Sequence, residues 1–383
     1  MTPPAPKSPS WRRLSPDRMK NRILQFGEGV FLRCFADWMV QRMNDRAGFD
    51  GAVQIIQPRH AELREESAAL NAAGGRYRVI LRGLSGGRSV ETAEDITCVR
   101  GVDVASNLGR YAADPDLRFV ISNTTEAGIQ HVKGADTFPA KVLRLLKLRH
   151  AAGLPGLVFL PCELIERNGD ELKRCVLAHA ADEGAEELAS WIARECVFCS
   201  TLVDRIVAGR EGADVVGEPF HFLAVRPPPG YDLEAELPLR RAGLNVTYAD
   251  DLRPYRTRKV RFLNAVHTTM VCLGMERGFA EVAECVADPA FNAFLRKLIF
   301  DEIFPTVDLP DAEKREFAES VLERFANPFA HHKLASIALN TVAKWKVRCL
   351  PVVCDYAAKF GRLPENMMAG YDAIARRYDN LTA

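Results

Sequence analysis

Three polar side chains that can carry out proton-transfer chemistry lie close together in the sequence: Lys259, Asn264 and His267. Apolar residues recur around them at helical spacing. At about 100° per residue, the three side chains then fall within an arc of about 140° on one helix face. A partly buried lysine has a lowered pKa and can exchange a proton with a reacting oxygen, while an amide and an imidazole can hydrogen-bond that oxygen. This combination predicts metal-free interconversion of an alcohol and a ketone.

Each of the three residues also has an ordinary structural explanation. Residues 256–261 are rich in arginine, so Lys259 could belong to a solvated basic face. Asn264 and His267 could be core residues whose polar atoms are satisfied by neighbours. The spacing alone leaves both explanations open.

A glycine turn near the start of the chain predicts the element that would hold a cofactor. The apolar run 23–26 ends at Gly27-Glu28-Gly29, and helical spacing and a second apolar run at 53–56 follow. This order is typical of a βαβ unit, in which glycines let a pyrophosphate rest on a helix N-terminus. Leu32 replaces the third glycine of the usual motif, so an ordinary tight turn is the alternative.

Two other strand ends bear on cofactor binding. The second strand ends at Gln57-Pro58-Arg59 and has no acid for the adenosine ribose, and Arg59 is either a partner for a 2′-phosphate or a solvated charge. This strand end therefore does not decide between NAD and NADP, and NADP is not excluded. Asn123, Thr124, Thr125 and Glu126 follow another apolar run, either as ligand-binding groups or as a helix cap.

The overall pattern predicts an α/β protein of two domains. The 383 residues exceed one ordinary core. We expect a flexible lead-in at 1–20, a dinucleotide-binding Rossmann-like domain with a mostly parallel sheet at 21–248, and a mostly α-helical substrate and catalytic domain at 249–383. Beyond residue 250 nearly every segment has helical spacing.

Composition excludes several classes of protein. The formal net charge of +1 gives no general reason to expect nucleic acid or an anionic membrane as a partner. No apolar run reaches the ~18 residues of a membrane helix, and no secretory signal pattern is present, so we expect a cytoplasmic protein. Ten irregularly spaced cysteines do not form a disulfide framework, and Cys196-x-x-Cys199 has no second ligand pair, so no metal is predicted.

Three motifs resemble the polyol-specific long-chain (mannitol) dehydrogenase family. Lys259, Asn264 and His267 match its Lys-x4-Asn-x2-His motif, Val203-Asp204-Arg205 matches a second signature, and Gly27, Gly29, Phe31 and Arg33 match its cofactor turn. The resemblance is strongest to members that reduce hexuronates. The stretches that carry it run through nearly the whole chain: 23–29, 122–128, 161–165, 198–207, 324–328 and 336–340.

The resemblance implies NAD(H)-dependent reduction of a keto-hexuronate, D-tagaturonate to D-altronate. Lys259 would be the general acid in reduction, with Asn264 and His267 polarising the substrate oxygen. The remaining expected contacts fall into a cofactor set and a substrate set. The cofactor set is Phe26, Gly27, Glu28, Gly29, Phe31, Arg33, Asn123, Thr124, Thr125 and Glu126, and the substrate set is Asp204, Arg205, His332, Lys344 and Arg348.

Two departures from the family pattern keep alternatives open. Cys162-Glu163-Leu164 stands where polyol-oxidising members have Cys-Asp-Asn, which removes one amide from the site. Relatives are expected to continue through further C-terminal helices, so the helical domain is expected to be shortened. The alternatives are a fructuronate reductase, a mannitol-type polyol dehydrogenase, or an inactive sugar-acid or nucleotide-binding relative.

Overall fold

The chain forms two compact units, which we call unit 1 and unit 2. The computed structural model describes residues 19–125 and 127–378. Unit 1 comprises the chain up to Ile80 together with Ala93–Val216 and His221–Asp250, and unit 2 comprises Leu81–Thr92, Gly217–Phe220 and the chain from Asp251 onward. Most of the predicted lead-in lies outside the described residues, and Lys20 is already the first residue of a strand.

Six parallel strands form the main sheet of unit 1. They are β1 (Lys20–Phe26), β2 (Gly51–Gln57), β5 (Val99–Val104), β6 (Phe119–Ser122), β7 (Val158–Pro161) and β8 (Val197–Phe198). Their order is β5-β2-β1-β6-β7-β8, and all five pairings are parallel. Every residue of β6 and β7 is buried, as expected for a parallel sheet covered on both faces.

Helices of unit 1 connect and cover these strands. They are α1 (Val30–Leu32), α2 (Trp38–Ala47), α3 (Glu65–Ala72), α4 (Leu108–Ala112), α5 (Phe138–Ala151), α6 (Asn168–Asp182), α7 (Glu186–Glu195) and α8 (Leu233–Glu236). Between α1 and α2 the helix is π-helical over Arg33–Asp37. Apolar side chains of α5, α6 and α7 pack with β1, β6 and β7 in one continuous core.

Two smaller sheets complete the strand inventory. Their strands are β3 (Tyr77–Ser85), β4 (Arg88–Ile96), β9 (Ser200–Asp204), β10 (Val207–Glu211), β11 (Asp214–Gly217), β12 (Phe222–Arg226) and β13 (Val246–Tyr248). One sheet has the order β10-β11-β3-β4 and the other the order β13-β12-β9. Strand β12 runs antiparallel to β9 and parallel to β13. The proline-rich stretch at 227–230 thus ends β12 within unit 1.

The part of unit 2 from Asp251 to Tyr378 is almost entirely helical. Its helices are α9 (Arg253–Lys259), α10 (Val266–Glu276), α11 (Val282–Ala287), α12 (Pro289–Lys297), α13 (Asp311–Phe325), α14 (Leu334–Ile337), α15 (Thr341–Arg348), α16 (Leu350–Phe360) and α17 (Glu365–Arg377). Two further segments, Val260–Ala265 and Leu298–Ile303, are π-helical. A separate apolar core centred on α10 holds these helices together. The predicted fold class, a parallel-sheet Rossmann-like region followed by a mostly helical region, is confirmed.

Candidate active site

The glycine turn after β1 contains two glycines, and the backbone conformation and packing of the protein require a glycine only at the first of them, Gly27. Gly27 has φ of 123°, and a Cβ there would lie 3.0 Å from the backbone oxygen of Asn123. Its N–H donates to the carbonyl of Ile56 (3.1 Å), which fixes the turn against β2. Gly27 is therefore required by the fold itself.

Gly29 has a different reason to be a glycine. It precedes α1 in extended conformation, and an added Cβ would meet no protein atom within 4 Å. A side chain there would point into open space beside the first N–H groups of a helix, the position that suits a pyrophosphate. The residues present therefore fit a dinucleotide at this turn.

The other residues expected at this turn divide between the core and the surface. Phe26 is fully buried and packs on Phe138, so only its backbone faces the turn. Phe31 stacks on Phe35. Glu28 forms an ion pair with Arg64 at 3.5 Å.

Arg33 and its neighbours form a buried polar cluster on the π-helical segment. The Arg33 guanidinium lies 4.2 Å from the Tyr77 ring centroid and donates to the carbonyl of Ala213. Tyr77 donates its hydroxyl to Asp37 (2.8 Å), and burial raises the pKa of Asp37 to about 7 despite that hydrogen bond. Arg33 thus holds the start of the helix in place through its packing.

A cleft of unit 1 opens beside the glycine turn. Glu28, Gly29 and Arg33 line one side, and Arg64, Glu66 and Arg210 are among the residues on the other. Arg210 pairs with Glu66 at 2.6 Å, and Arg64 lies 3.8 Å from the same carboxylate. Arg64 and Arg210 therefore each have a carboxylate partner in this cleft.

The end of β2 is organised by Gln57. Its buried amide donates to the carbonyls of Arg59 and Glu62 and accepts from the Arg64 N–H and the Ser67 hydroxyl. Arg59 itself is exposed. Gln57 thus fixes the loop at the end of β2, the position at which an acidic residue would bind the adenosine ribose.

The segment after β6 is held by a residue that the sequence reasoning missed. The Glu163 carboxylate accepts hydrogen bonds from the Thr124 N–H (2.9 Å), the Thr124 hydroxyl (2.9 Å) and the Ser122 hydroxyl (3.0 Å). Burial raises the pKa of Glu163, and these donors oppose the rise. The signal was available, because Glu163 follows β7, the neighbour of β6, at the same edge of the sheet.

The four residues expected to contact cofactor on this segment have different environments. The Thr124 side chain is buried and bonded to Glu163. The Asn123 amide donates to the carbonyl of Cys162, and Thr125 is exposed with φ of 83°. Glu126 lies outside the described residues.

Asp204 and Arg205, expected to bind substrate, are both buried in unit 1. The Arg205 guanidinium lies over the Trp38 ring at 4.0 Å and donates to the carbonyl of Cys34 (2.6 Å). The arginine therefore braces the helix that follows the glycine turn.

The candidate catalytic residues lie on one continuous helix of unit 2. Lys259 ends α9, Asn264 lies in the π-helical segment Val260–Ala265, and His267 is in the first turn of α10. In a π-helix the backbone hydrogen bond spans five residues instead of four, and each turn holds more than the 3.6 residues of an α-helix, so residues five apart lie nearer to the same face. Lys259 and Asn264 are five residues apart. The wider turn makes the angle between their side chains around the helix axis smaller than the 140° expected for a regular α-helix.

The arginines around Lys259 do not form a freely solvated basic face. Arg258 pairs with Glu313 at 2.6 Å and lies over the Phe317 ring, and its side chain is only 11% exposed. Arg261 donates to the carbonyl of Thr306 and pairs with Asp355. The alternative of a solvated basic face is therefore wrong for Arg258 and Arg261. Lys259 itself is half-buried.

His267 has the most unusual environment in unit 2. It is 7% exposed, and within the described residues its buried Nε2 has no hydrogen-bond partner. Its ring contacts those of Phe325 and His332, with centroids 4.2 and 4.8 Å away. Burial, then His332, Arg324, Arg348 and Lys344 hold its pKa well below the usual 6.5. The imidazole is therefore neutral at pH 7, and its buried Nε2 is left without a partner near several cationic side chains.

Lys344 and Arg348 lie one helical turn apart on α15. Burial and then the charge of Arg348 lower the pKa of Lys344. Lys344 donates to the carbonyl of Ile337 (2.9 Å), which fixes its amine. Like charges at this spacing repel each other, so an anionic ligand between them is favoured. Arg324, the nearby cation that the sequence reasoning missed, is already paired with buried Glu218 at 2.8 Å.

The CxxC pair lies away from any reactive environment. Cys196 follows α7 and Cys199 follows β8, and both are buried as free thiols. Burial raises the pKa of Cys196 to about 11 and that of Cys199 to about 12. Thiols with such high pKa values are poor nucleophiles at neutral pH.

Comparison with known proteins bears directly on this arrangement. Residues 21–229 match the family described as the mannitol dehydrogenase Rossmann domain, and residues 251–381 match the mannitol dehydrogenase C-terminal domain. The altronate oxidoreductase of Bacillus subtilis (strain 168) is 38% identical over 393 aligned residues, covering 94% of this chain and 80% of the relative. That of Halalkalibacterium halodurans is 39% identical, covering 96% and 77%.

Solved structures show the same fold. A D-sorbitol dehydrogenase in substrate-free form superposes with a TM-score of 0.80 at 21% identity, covering 94% of this chain and 81% of that one. The mannitol 2-dehydrogenase of Pseudomonas fluorescens, solved as a ternary complex with NAD and D-mannitol, gives 0.76 at 22% identity, covering 95% and 80%.

The two family domains and the altronate oxidoreductase relatives define an oxidoreductase acting on CH–OH groups. The chain belongs to the mannitol dehydrogenase family, as the resemblance in its sequence implied. Among the described residues, no helix is long and apolar enough to cross a membrane.

Proposed function

We propose that this protein reduces the keto group of a hexuronate, D-tagaturonate to D-altronate, with NADH as the reductant. The observation that carries the proposal is the unpaired Nε2 of His267 among His332, Lys344 and Arg348. Such a site suits a ligand that has both a hydrogen-bonding oxygen and a negative charge. A hexuronate has both, and the altronate oxidoreductases at 38–39% identity are named for a sugar acid.

Lys344 and Arg348 are proposed to bind the substrate carboxylate. They are two cations at i and i+4 on one helix, and the pKa of Lys344 is lowered partly by Arg348. A carboxylate between them would replace repulsion with two charge-assisted hydrogen bonds. A neutral polyol gains nothing comparable, so the pair favours sugar acids over polyols.

Lys259 is proposed to donate the proton that the carbonyl oxygen gains on reduction. A nicotinamide, when bound, supplies the hydride to the carbonyl carbon. Negative charge then develops on the oxygen, and neutral His267 in its Nε2–H tautomer and the Asn264 amide would donate hydrogen bonds to it. In the oxidative direction the same lysine, as the free amine, would take up the hydroxyl proton.

NAD(H) rather than NADP(H) is proposed from the charges in the cleft beside the glycine turn. Arg64 and Arg210 are both paired with Glu66 or Glu28, and Arg33, the third cation there, is held by the Ala213 carbonyl and the Tyr77 ring. A 2′-phosphate would have to displace a carboxylate and would be repelled by it. Arg59, which is exposed at the end of β2, is the residue that supports the NADP(H) alternative.

A substrate panel tests this function. Purified protein is assayed by NADH absorbance with D-tagaturonate, D-fructuronate and D-fructose, each also with NADPH. We expect kcat/KM to be highest for D-tagaturonate with NADH and lowest for fructose, which lacks the carboxylate. Preferred turnover of D-fructuronate or fructose would contradict the substrate assignment. Cofactor binding without turnover of any substrate would indicate an inactive relative.

A further inference from the structure

Two histidines and an aspartate converge in unit 1, outside the residues discussed so far. His131 lies in the segment that joins β6 to α5, and His179 and Asp182 lie three residues apart near the end of α6. One ligand-type atom from each of the three side chains falls within 4.8 Å of the others. It is the one such group of three or more His, Cys, Asp or Glu side chains found within residues 19–125 and 127–378.

The positions of the side chains are close to those of a three-ligand metal site. His131 Nε2 is 2.7 Å from Asp182 Oδ2, and the rings of His131 and His179 meet edge to face at 4.6 Å. Ligand atoms at ~2.0–2.1 Å from a tetrahedral ion are about 3.3 Å apart. The side chains of His131 and Asp182 are 26% and 25% exposed, so they can rotate by the small amount required and leave a fourth position to water.

The donor set selects a class of ion. Two imidazoles and a carboxylate suit Zn²⁺, Co²⁺ and Ni²⁺, whereas Mg²⁺ and Ca²⁺ prefer oxygen ligands alone. The hydroxyl of Thr137 lies 2.9 Å from His179 Nε2 and orients the ring.

We propose that His131, His179 and Asp182 form a binding site for a divalent transition-metal ion of the zinc class. The ion would tie the segment after β6 to the end of α6. This segment begins with Asn123, Thr124 and Thr125, so the ion would stabilise unit 1 next to residues that are expected to contact the cofactor. The proposal does not depend on the substrate assigned above.

Lys133 provides an internal control on the charge of the site. Its amine lies 3.8 Å from Asp182 Oδ1, and the side chain is 79% exposed. A cation there opposes binding of a metal ion, and no ligand is lost when it is removed. Lys133→Gln should therefore bind the ion several-fold more tightly than the wild type.

Cobalt binding tests the site directly. The full chain is prepared without a histidine tag, treated with EDTA, kept reduced, and titrated with Co²⁺ while the visible absorption is followed, with Zn²⁺ as competitor. We expect one ion per chain and a tetrahedral spectrum that Zn²⁺ displaces. His131→Ala and Asp182→Asn should each weaken binding by at least 10-fold, and His150→Ala, a histidine that packs on Trp191 in the same unit, should have no effect.

Thermal unfolding gives a second readout in the same proteins. An ion that binds only the folded chain raises the unfolding temperature, and the rise should be present in the wild type and lost in His131→Ala. Equal Co²⁺ binding in all variants, a thiolate-to-cobalt charge-transfer band, or no saturable binding by the folded wild type would each overturn the proposal.

Discussion

His267 shows how a single side chain can be tuned by its surroundings. Its Nε2 is buried without a partner in the described structure, and several cations lower its pKa further than burial alone. Leaving a buried polar atom unpaired costs about 1–3 kcal/mol, so such an atom is usually retained for a ligand. The same environment that keeps the ring neutral is the one that would attract a sugar acid.

The carboxylate contact can be tested at Lys344. Replacing it with methionine keeps the length of the side chain and removes the charge. A charge-assisted hydrogen bond is worth about 1.5–3 kcal/mol, so KM for D-tagaturonate should rise about 10- to 100-fold with little change in kcat. Steady-state kinetics measure this. Lys346→Met, an exposed cation on the same helix, is the control, and an equal effect there would argue against a specific contact.

The depressed pKa of His267 also predicts a dependence of stability on pH. The unfolded chain takes up a proton near pH 6.5, whereas the folded chain does so only well below it. The stability that His267 contributes is thus present above pH 6.5 and is lost as the pH falls toward the folded pKa. Urea unfolding from pH 8 to pH 5 should show a flatter acid limb in His267→Asn than in the wild type. Exposed His331→Asn should keep the wild-type slope, and a similar slope in all three proteins would contradict the assignment.

At the scale of elements, two of the three π-helical segments described above contain or adjoin candidate functional residues, one in each unit. One follows the glycine turn (Arg33–Asp37), and the other joins Lys259 to His267 (Val260–Ala265). A π-turn is less stable than a regular α-turn and is often found at functional sites. In the first segment the wide turn accommodates buried Arg33 and Asp37, and in the second it brings Asn264 toward Lys259.

The raised pKa of Asp37, which lies in the first π-helical segment, predicts a second dependence of stability on pH. The folded chain holds the proton to about pH 7, whereas the unfolded chain loses it near pH 3.8. The stability it contributes is therefore complete below pH 3.8 and is lost as the pH rises to about 7. The free energy of unfolding, measured with denaturant from pH 5 to pH 8, should fall less in Asp37→Asn than in the wild type. The difference between the two slopes should be about 1 kcal/mol per pH unit at most. An unchanged pH profile in the variant would rule out a proton on Asp37.

The paired charges of the cleft predict how cofactor preference can be changed. Glu66→Gln removes the carboxylate that pairs with Arg210, so it frees Arg210 for a 2′-phosphate while Arg64 keeps its ion pair with Glu28. KM for NADPH should fall by several-fold while KM for NADH changes little. Glu65→Gln, the adjacent exposed acid, is the matched control. If the ratio of KM for NADPH to KM for NADH is unchanged in Glu66→Gln, the adenosine ribose does not bind beside these charges.

At the scale of the whole molecule, the sequence predicted the parallel strands well because each is a short apolar run followed by turn residues. The runs at 23–26, 53–56 and 119–122 all lie in β1, β2 and β6. The sequence reasoning did not predict β13. β13 has only three residues, and its place is set by pairing with β12, which no local pattern reveals.

The candidate site was predictable in its residues but not in their environments. The family motif identified Lys259, Asn264 and His267, yet a regular helical period could not show the π-helical turn between them. Glu163 was noted only as a departure from the family pattern, because its role comes from contacts with Ser122 and Thr124 some forty residues away. Spacing along the chain does not show such contacts, and only the neighbouring places of β6 and β7 in the sheet point to them.

Proton donation by Lys259 is the central claim, and one pair of measurements tests it most directly. The kcat of Lys259→Ala with D-tagaturonate is measured at pH 7 alongside NADH affinity by fluorescence. Removing a general acid lowers the rate by about 10²- to 10⁴-fold, and NADH affinity should stay within about twofold of the wild type. Near-normal turnover in a variant that binds NADH normally would contradict the account.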